Sequence, residues 1–314
     1  MNCYLGFDGG GTKTECIALD AAGNIVGQGH AGPSNPLRVG YEAACAALQL
    51  AAAFAVTSAQ STAGDVRAVC AGLAGAGRRN VADEMRDRLS KIWKDARVRI
   101  ITDAEAALET AVGDGEGVVL IAGTGSIAMG RNSTGQTARA GGYGPWIGDA
   151  GSAYDIGRRA VGAVAKSRDL AGPATMLTEL VLVTLECADW DEVVEKVAEG
   201  PGTVFPRLVR PVMQAADEGD PASIEILSRA GRDLANVALA VIGHLGLKDN
   251  EFRVARAGGV FNRSYILDNK VDSTIMGVAS RAQISLLGQP PALGAARFAL
   301  RQSNAQEASR GQTK

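Results

Sequence analysis

Two short glycine-rich segments carry residue types that can bind phosphate. DGGGTKT (residues 8–14) and GTGS (residues 123–126) each follow an apolar stretch and combine glycines with hydroxyl side chains. Glycine lets backbone N–H groups approach a ligand closely, and several such groups together form a concave anion site. Asp8, the first residue of the first segment, would place a carboxylate next to phosphates. This arrangement is explained if a cation lies between them. Mg²⁺, held largely through water, is the natural candidate.

Two better-known phosphate motifs do not fit the first segment. A Walker A loop nearly matches from Gly6, but Thr12 stands between Gly11 and Lys13 and no helix follows. A dinucleotide-binding fingerprint fails for the same reason, because it needs a strand, a turn and a helix in succession. Taken alone, the segment is explained equally well as a glycine-rich β-turn capped by Asp8. Two matched segments in one chain favour the phosphate-binding interpretation.

The elements around these motifs form a pattern that occurs twice. The apolar periodicity of the first 115 residues predicts the order β-β-β-α-β-α-β-α, a mixed sheet covered by helices. A shift of 114 residues places residues 9–12 on residues 123–126, so the chain is predicted to duplicate one α/β unit. The predicted strands are 3–7, 15–19, a third that begins after residue 24, 66–72, 98–102, 118–122, 127–130, another after the turn at 132–135, and 252–257. The predicted helices are 41–56, 78–93, 103–112, 221–246 and 292–300, with 150–250 mostly helical.

Composition argues against several classes of protein. The 314 residues carry 32 basic and 34 acidic side chains, a net charge of −2, without the concentrated basic face that a nucleic-acid-binding protein needs. No apolar run approaches 18 residues, so we expect no membrane span. Five scattered cysteines without a C-x-x-C pair indicate reduced thiols, and the N-terminus shows no secretory signal, which together predict a cytoplasmic protein. Only two histidines are present, which argues against a His-based metal site or triad.

The chain resembles the acetate and sugar kinase/heat-shock chaperone/actin superfamily, in its BadF/BadG/BcrA/BcrD ATPase-like branch, which includes N-acetylglucosamine kinases. The matching stretches lie in family order over residues 4–300: GFDGGGTKT (6–14), GPSNP (32–36), ITDAEAAL (101–108), GTGS (123–126), GPWIGDAGSAYDIGRRA (144–160) and AGGVF (257–261). The resemblance implies a duplicated actin-like (ribonuclease H-like) two-domain α/β fold with an interdomain cleft. We expect an N-terminal domain at 1–115 joined by a closing helix at 291–302, a C-terminal domain at 116–290 hinged near 113–117, and a disordered tail at 303–314.

The resemblance also implies roles for individual residues. Asp103 would be the general base that accepts the proton of a sugar hydroxyl group, and Asp8 would orient hydrated Mg²⁺. ATP would be bound by Gly10, Gly11, Thr12, Lys13, Thr124, Gly125, Gly258 and Gly259, and the sugar by Asn35, Asp103, Ser126 and Asp149.

Structural explanations compete with several of these roles. Thr102 and Glu105 form an S/T-x-x-E capping box, so Asp103 is also explained as a residue of a helix start. Asp149 is equally an N-cap candidate, and Asn35 a turn residue between prolines. Lys13 is either a phosphate ligand or a solvated side chain, and Trp146 either lines the sugar side or packs in the core. Arg158 and Arg159 are expected on an exposed helix face.

Two departures from the family pattern bear on the substrate. Ala150 stands where the family's Gly-Asp-Glu-Gly-Ser has glutamate, and Pro36-Leu37 offers no aromatic platform after Asn35. The cysteines form neither the iron–sulfur pattern of the activator ATPases nor the zinc cluster of the ROK sugar kinases.

The resulting expectation is ATP-dependent phosphorylation of an amino sugar, N-acetylglucosamine at its 6-hydroxyl group, by direct in-line transfer with ATP and Mg²⁺. Alternatives are a kinase for glucosamine or another hexosamine derivative, and a non-catalytic ATP- or sugar-binding regulator or ATPase of the BadF type. The expected partner is a small-molecule sugar, without nucleic acid or membrane, and we expect a homodimer.

Overall fold

A computed structural model of the protein describes residues 1–311, with the side chains of residues 1–305. The chain divides into two compact units, which we call the first and second unit. The first comprises Met1–Gly115 with the segment from Leu287 onward, and the second comprises Glu116–Leu286.

Each unit contains one five-stranded sheet, and the two sheets have the same strand order. The strands are β1 (Cys3–Gly9), β2 (Thr14–Leu19), β3 (Ile25–Ala31), β4 (Val66–Leu73), β5 (Arg97–Thr102), β6 (Gly117–Ala122), β7 (Ser126–Arg131), β8 (Thr137–Gly141), β9 (Phe252–Ala257) and β10 (Ala282–Leu286). Their order is β3-β2-β1-β4-β5 in the first sheet and β8-β7-β6-β9-β10 in the second. In both, an antiparallel meander of three strands is extended by two strands parallel to its first member. This shared topology confirms the predicted duplication of one α/β unit.

Helices occupy the connections between the strands. They are α1 (Pro36–Val39), α2 (Tyr41–Ser58), α3 (Arg79–Ile92), α4 (Asp103–Val112), α5 (Ala153–Arg168), α6 (Leu177–Leu185), α7 (Trp190–Glu199), α8 (Pro201–Val204), α9 (Val209–Asp217), α10 (Pro221–His244), α11 (Tyr265–Met276) and α12 (Pro291–Gly311), with short 3₁₀ helices at Ala63–Asp65 and Phe205–Leu208.

Residues 3–7 of the central strand β1 form an uncharged, mostly apolar run because helices cover both faces of the first sheet. Leu5 and Phe7 of β1 lie in one core with α2 and α3. The intervening Tyr4 lies in a second core, which α4 and α12 help to form. Alternate side chains of a strand point to opposite faces of the sheet, so a strand covered on both sides reads as a continuous apolar run.

Helix α2 approaches β3 more closely than a side chain would allow. A Cβ built on Gly27 would lie 1.9 Å from the carbonyl oxygen of Ala55, and one on Gly29 would lie 2.0 Å from that of Ala51. By length and composition alone, α2 could cross a membrane. In the structure its buried face, which includes Leu48 and Ala55, instead packs in the core of the first unit.

The second unit contains two elements that the sequence patterns did not predict. Helix α11 and strand β10 follow the predicted strand β9, and β10 completes the second sheet in parallel register with β9. Strand β10 has the sequence AQISL and is buried only at Ala282. It lacks the apolar run that identified the central strands because it lies at the edge of its sheet.

The closing helix is longer than expected. We expected a helix at 291–302 followed by a disordered tail at 303–314, but α12 extends to Gly311, so the tail prediction is wrong for residues 303–311. Residues 312–314 lie outside the described part of the chain. The polar composition suggested disorder, yet polar residues can also continue a helix that is anchored elsewhere. The anchor is an alanine-rich face, including Ala292 and Ala296, buried in the first unit.

Candidate active site

The carboxyl ends of three parallel strands meet at one edge of the first sheet. Gly9 of β1 lies opposite Leu73 of β4, and Leu73 lies opposite Thr102 of β5. Asp8 precedes Gly9 on β1, and Asp103 follows Thr102 directly. The strand register therefore brings the two aspartates that the sequence singled out to the same edge.

Asp8 is an acidic group held in unfavourable surroundings. Burial raises the pKa of its carboxyl group to about 6, and the negative charges of Asp103 and Glu15 add to the shift. Lys13 opposes the shift with its positive charge but does not cancel it. Glu15 is the partner of Asp8 across the β1–β2 ladder. A divalent cation at this edge would relieve the repulsion and restore the ionised form of Asp8.

The capping box at the start of α4 is present as predicted. The hydroxyl oxygen of Thr102 accepts from the N–H of Glu105 at 3.1 Å, and the Glu105 carboxylate accepts from the N–H of Thr102 at 2.6 Å. Asp103 therefore does not have to cap the helix. Its exposed side chain accepts from the N–H of Ala104 at 3.0 Å. Surrounding atoms partly desolvate the carboxyl group and raise the pKa of Asp103. Hydrogen bonds from the backbone N–H groups of Ala104 and Asp103 oppose this rise.

The first glycine turn is tied to the GPSNP loop. The carbonyl oxygen of Gly10 accepts from the N–H groups of Ser34 and Asn35, both at 3.0 Å. The N–H of Gly10 donates to the carbonyl of Lys13 at 3.0 Å, so this amide is already used within the turn. In the described part of the chain, the N–H groups of Gly11 and Thr12 have no protein acceptor. They are the donors that the turn can offer to an anion.

Asn35 lies next to this turn and caps a short helix. Its Oδ1 accepts from the N–H of Leu37 at 3.0 Å, at the start of α1. The turn-residue interpretation of Asn35 therefore accounts for the carbonyl oxygen of its side-chain amide, but not for the NH₂ group. The side-chain NH₂ group has no recorded acceptor among the described residues, so it is available to a hydroxyl group of a ligand.

The second sheet repeats this arrangement at its own carboxyl edge. The GTGS turn (123–126) follows β6, and Gly258 follows the parallel strand β9. Gly258 has a φ of 101°, and a Cβ there would lie 2.2 Å from the carbonyl oxygen of Ala122. That oxygen accepts from the N–H of Val260 at 3.1 Å. Only glycine allows the two chain segments to meet this closely.

The start of α5 holds the GTGS turn in place. The carbonyls of Gly123 and Thr124 accept from the N–H groups of Ala153 and Tyr154 at 2.9 and 3.3 Å. The hydroxyl of Ser126 is buried and donates to the carbonyl of Ala150 at 2.9 Å. The exposed hydroxyl of Thr124 is available to a ligand, whereas that of Ser126 is engaged in holding the turn.

Asp149 is buried against the GTGS turn, in a left-handed backbone conformation with φ of 57°. Burial raises the pKa of its carboxyl group, while hydrogen bonds from the N–H groups of Ser126 and Gly144 oppose the rise. A Cβ on Gly125 would lie 2.7 Å from Oδ2 of Asp149. The N-cap interpretation of Asp149 is wrong, because Ser152 caps α5.

An ion-pair cluster fixes the loop that carries Asp149. The Asp155 carboxylate accepts from the N–H of Gly151 at 2.9 Å and pairs with Arg159 at 2.7 Å. Arg159 also pairs with Asp233 at 2.6 Å and is only 16% exposed. The expected exposed helix face therefore holds for Arg158, at 56% exposure, but is wrong for Arg159. The i, i+4 spacing of Asp155 and Arg159 is the sequence signal that could have identified the pair.

The exposure of the side chains bears on the interpretations of Trp146 and Lys13 and locates the thiols. Trp146 is 83% exposed, so the core alternative is wrong. Lys13 is exposed, in agreement with the solvated interpretation, although its charge still reaches Asp8. The thiols of Cys3, Cys16, Cys45 and Cys70 are buried. The sequence patterns did not identify Arg38 as a candidate site residue. Its guanidinium group lies against Gly11.

Mg²⁺ fits the acidic edge of the first sheet. In the part of the chain that the structure describes, no group of three or more His, Cys, Asp or Glu side chains could enclose a metal ion. Asp8 nevertheless supplies oxygen ligands in an environment that favours added positive charge. Mg²⁺ commonly takes one or two carboxylates and completes its shell with water and substrate phosphates. Asp8 is the residue that would hold it.

Together, the duplicated topology and the glycine turns at equivalent sheet edges define an actin-like α/β fold of the sugar-kinase type. The chain belongs to the BadF/BadG/BcrA/BcrD ATPase family, which it matches over residues 5–299.

Curated relatives and a solved structure resemble the chain over most of its length. It is 33% identical to the N-acetyl-D-glucosamine kinase of Dictyostelium discoideum, covering 95% of this chain and 97% of that protein. It is 32% identical to the N-acetylmuramic acid/N-acetylglucosamine kinase of Clostridium acetobutylicum, covering 85% and 89%. A crystal structure of a candidate N-acetylglucosamine kinase from Chromobacterium violaceum superimposes with a TM-score of 0.77 at 25% identity, covering 96% and 99%.

Proposed function

We propose that this protein transfers the γ-phosphoryl group of ATP to an amino sugar, namely to the 6-hydroxyl group of N-acetylglucosamine. The observation that carries the proposal is the convergence of Asp8, Asp103 and the first glycine turn at one sheet edge. Membership of an ATPase family and similarity to two amino sugar kinases support it.

Asp103 acts as the general base in this proposal. The attacking sugar hydroxyl group must lose its proton as the new P–O bond forms, and a nearby carboxylate is a suitable acceptor. The raised pKa of Asp103 makes it a stronger base than an ordinary solvated aspartate. The side chain is exposed, so a substrate can reach it.

Each glycine turn, taken within its own unit, offers groups that suit phosphate. The N–H groups of Gly11 and Thr12 donate to phosphate oxygens, as does the hydroxyl group of Thr124. Gly10 and Gly125 contribute by the close approach of their backbone, and Gly258–Gly259 contact the adenosine. Mg²⁺ held by Asp8 neutralises phosphate charge when it is bound.

The residues assigned to the sugar are Asn35 in the first unit and Asp149 in the second. The free NH₂ group of Asn35 and the carboxylate of Asp149 suit the hydroxyl groups of a sugar. Ser126 supports this subsite indirectly, because its hydroxyl group holds the loop that carries Asp149. Ala150 stands where the family pattern has glutamate, so the side chain next to Asp149 is smaller than in that pattern. N-acetylmuramic acid, named for one of the relatives, is therefore the second candidate substrate.

The test is coupled ADP release with ATP and Mg²⁺ against a panel of sugars. The panel contains N-acetylglucosamine, N-acetylmuramic acid, glucosamine, N-acetylmannosamine, glucose and no sugar. Turnover that depends on N-acetylglucosamine, with a 6-phosphate product by ³¹P and ¹³C NMR, is the expected result. Fastest turnover with another amino sugar would replace the proposed substrate. ATP hydrolysis that is independent of sugar, or an absence of turnover, would contradict the kinase proposal.

A further inference from the structure

Arg38 lies directly against the first glycine turn. A Cβ built on Gly11 would lie 3.0 Å from Nη1 of Arg38 and 3.4 Å from its Cδ. The guanidinium group therefore covers the face of Gly11 that any other side chain would occupy. The Arg38 side chain is exposed, so a ligand arriving at the turn can reach it.

Gly11 is not required by the conformation of its own backbone. Unlike Gly23 or Gly40, it does not have a φ in the left-handed region that favours glycine. What glycine provides at position 11 is space for the stem and guanidinium group of Arg38. The DGGGTKT motif is thus connected to a residue that lies outside it.

The charge of Arg38 is not neutralised by the protein. Among the described side chains, no carboxylate lies within 4.0 Å of its guanidinium group, whereas Arg86, Arg88 and Arg159 have such partners. Guanidinium remains charged at all physiological pH values and presents five N–H donors suited to phosphate oxygens. Its position beside the unused N–H groups of Gly11 and Thr12 adds a full positive charge to the anion site.

The backbone that carries Arg38 is fixed to the turn that it covers. Arg38 belongs to helix α1, which Asn35 caps, and Asn35 donates its own N–H to the carbonyl of Gly10 at 3.0 Å. This attachment holds the backbone of Arg38 beside the turn, so only the side chain has to be ordered when a ligand binds.

From this geometry we propose that Arg38 is a phosphate-binding residue, which contacts the terminal phosphates of ATP at the Gly11–Thr12 amides. The inference rests on the proposed function, since it assigns another contact to the same nucleotide site. It also places the phosphate contact and the sugar contact of Asn35 on neighbouring positions of one short segment.

The test compares Arg38→Gln, Arg38→Lys and a matched control, Lys91→Gln. The control removes one positive charge from an exposed position of α3 in the same unit. Affinities for ATP with Mg²⁺ and for inorganic tripolyphosphate are measured by calorimetry, and ligand-free melting temperatures are measured in parallel.

We expect Arg38→Gln to weaken both affinities by about 10- to 100-fold, the range for losing a charge-assisted hydrogen bond. Arg38→Lys should recover part of the loss, and Lys91→Gln should match wild type. The ligand-free melting temperature should be unchanged in all three variants. Affinities of Arg38→Gln within twofold of wild type would overturn the inference and leave the kinase proposal intact. A lower ligand-free melting temperature with unchanged affinities would assign Arg38 a purely structural role, whereas a wild-type chain that binds no ATP would contradict both proposals.

Discussion

The carboxylates of Asp8 and Asp103 lie close enough for the negative charge of Asp103 to raise the pKa of Asp8. They are distant in sequence, and the parallel alignment of β1, β4 and β5 brings them together. Two acidic groups at one sheet edge destabilise the ligand-free fold, and a bound cation would relieve that cost. This relationship leads to the first two predictions.

The first prediction concerns the stability of the ligand-free protein as a function of pH. The pKa of Asp8 is about 6 in the native state, above its ordinary value of 3.8, so the native state binds this proton more tightly than the unfolded state. The resulting stabilisation is complete below about pH 4 and is lost as the pH rises through 6. Asp8→Asn should therefore be more stable than wild type at pH 7.5, by up to about 3 kcal/mol. The difference should disappear near pH 4.

Urea unfolding at the two pH values provides the measurement, and Asp20→Asn is its control. Hydrogen bonds from the side chain and the backbone of Asn24 lower the pKa of Asp20, so removal of that carboxylate should destabilise the protein at pH 7.5. An Asp8→Asn variant that is less stable than wild type at pH 7.5 would show that the Asp8 carboxylate is not strained.

The second prediction concerns the general base. Asp103→Asn should lower kcat by about 10²–10⁴ while leaving ATP affinity intact, because the amide cannot accept the proton of the sugar hydroxyl group. Glu105→Gln is the matched control, since it removes a carboxylate from the same helical turn and glutamine still serves in a capping box. Its kcat should remain close to that of wild type. Near-normal turnover of Asp103→Asn would remove this residue as the base.

The third prediction separates two roles of Asp149. Asp149→Ala should raise KM for the sugar far more than KM for ATP, because the sugar loses a direct contact. It should also lower the melting temperature, since the N–H groups of Ser126 and Gly144 lose their acceptor and alanine disfavours a φ of 57°. Asp149→Asn keeps one acceptor oxygen and tolerates this conformation, so its melting temperature should fall less. If KM for ATP rises more than KM for the sugar in both variants, Asp149 serves the nucleotide side.

The fourth prediction tests the packing of α2 on the first sheet. Gly29→Ala would place a Cβ 2.0 Å from the carbonyl oxygen of Ala51, so the helix would have to move. We expect a loss of stability of at least about 1–3 kcal/mol, as in other overpacked cores. Gly162→Ala in the exposed part of α5, with no atom within 4 Å of the new methyl, should instead stabilise by up to about 1 kcal/mol. Equal effects of the two substitutions in chemical denaturation would contradict the close packing of α2.

Local sequence signals were sufficient for much of the fold. The bounds of α4 and β9 follow from a capping box and from a short segment that ends in Gly258-Gly259, both of which depend on neighbouring residues alone. Strand β10 lacked such a signal, because an edge strand is recognised by the sheet that it joins rather than by its own composition. The burial of Arg159 likewise depends on Asp233, a residue far away in the sequence with which it forms an ion pair.

The sequence by itself determined the duplicated strand pattern, the two glycine turns and the identity of the acidic residues beside them, since each is a matter of residue type and spacing. The tertiary structure decided what these residues can do. The register of β1, β4 and β5 coupled Asp8 to Asp103, and the GPSNP loop placed Arg38 against Gly11. Hydrogen bonds engaged the N–H of Gly10 and the hydroxyl group of Ser126, whereas the N–H groups of Gly11 and Thr12 have no acceptor among the described residues. Electrostatic coupling and hydrogen-bond availability depend on distances between segments far apart in the chain, and only the folded backbone fixes those distances.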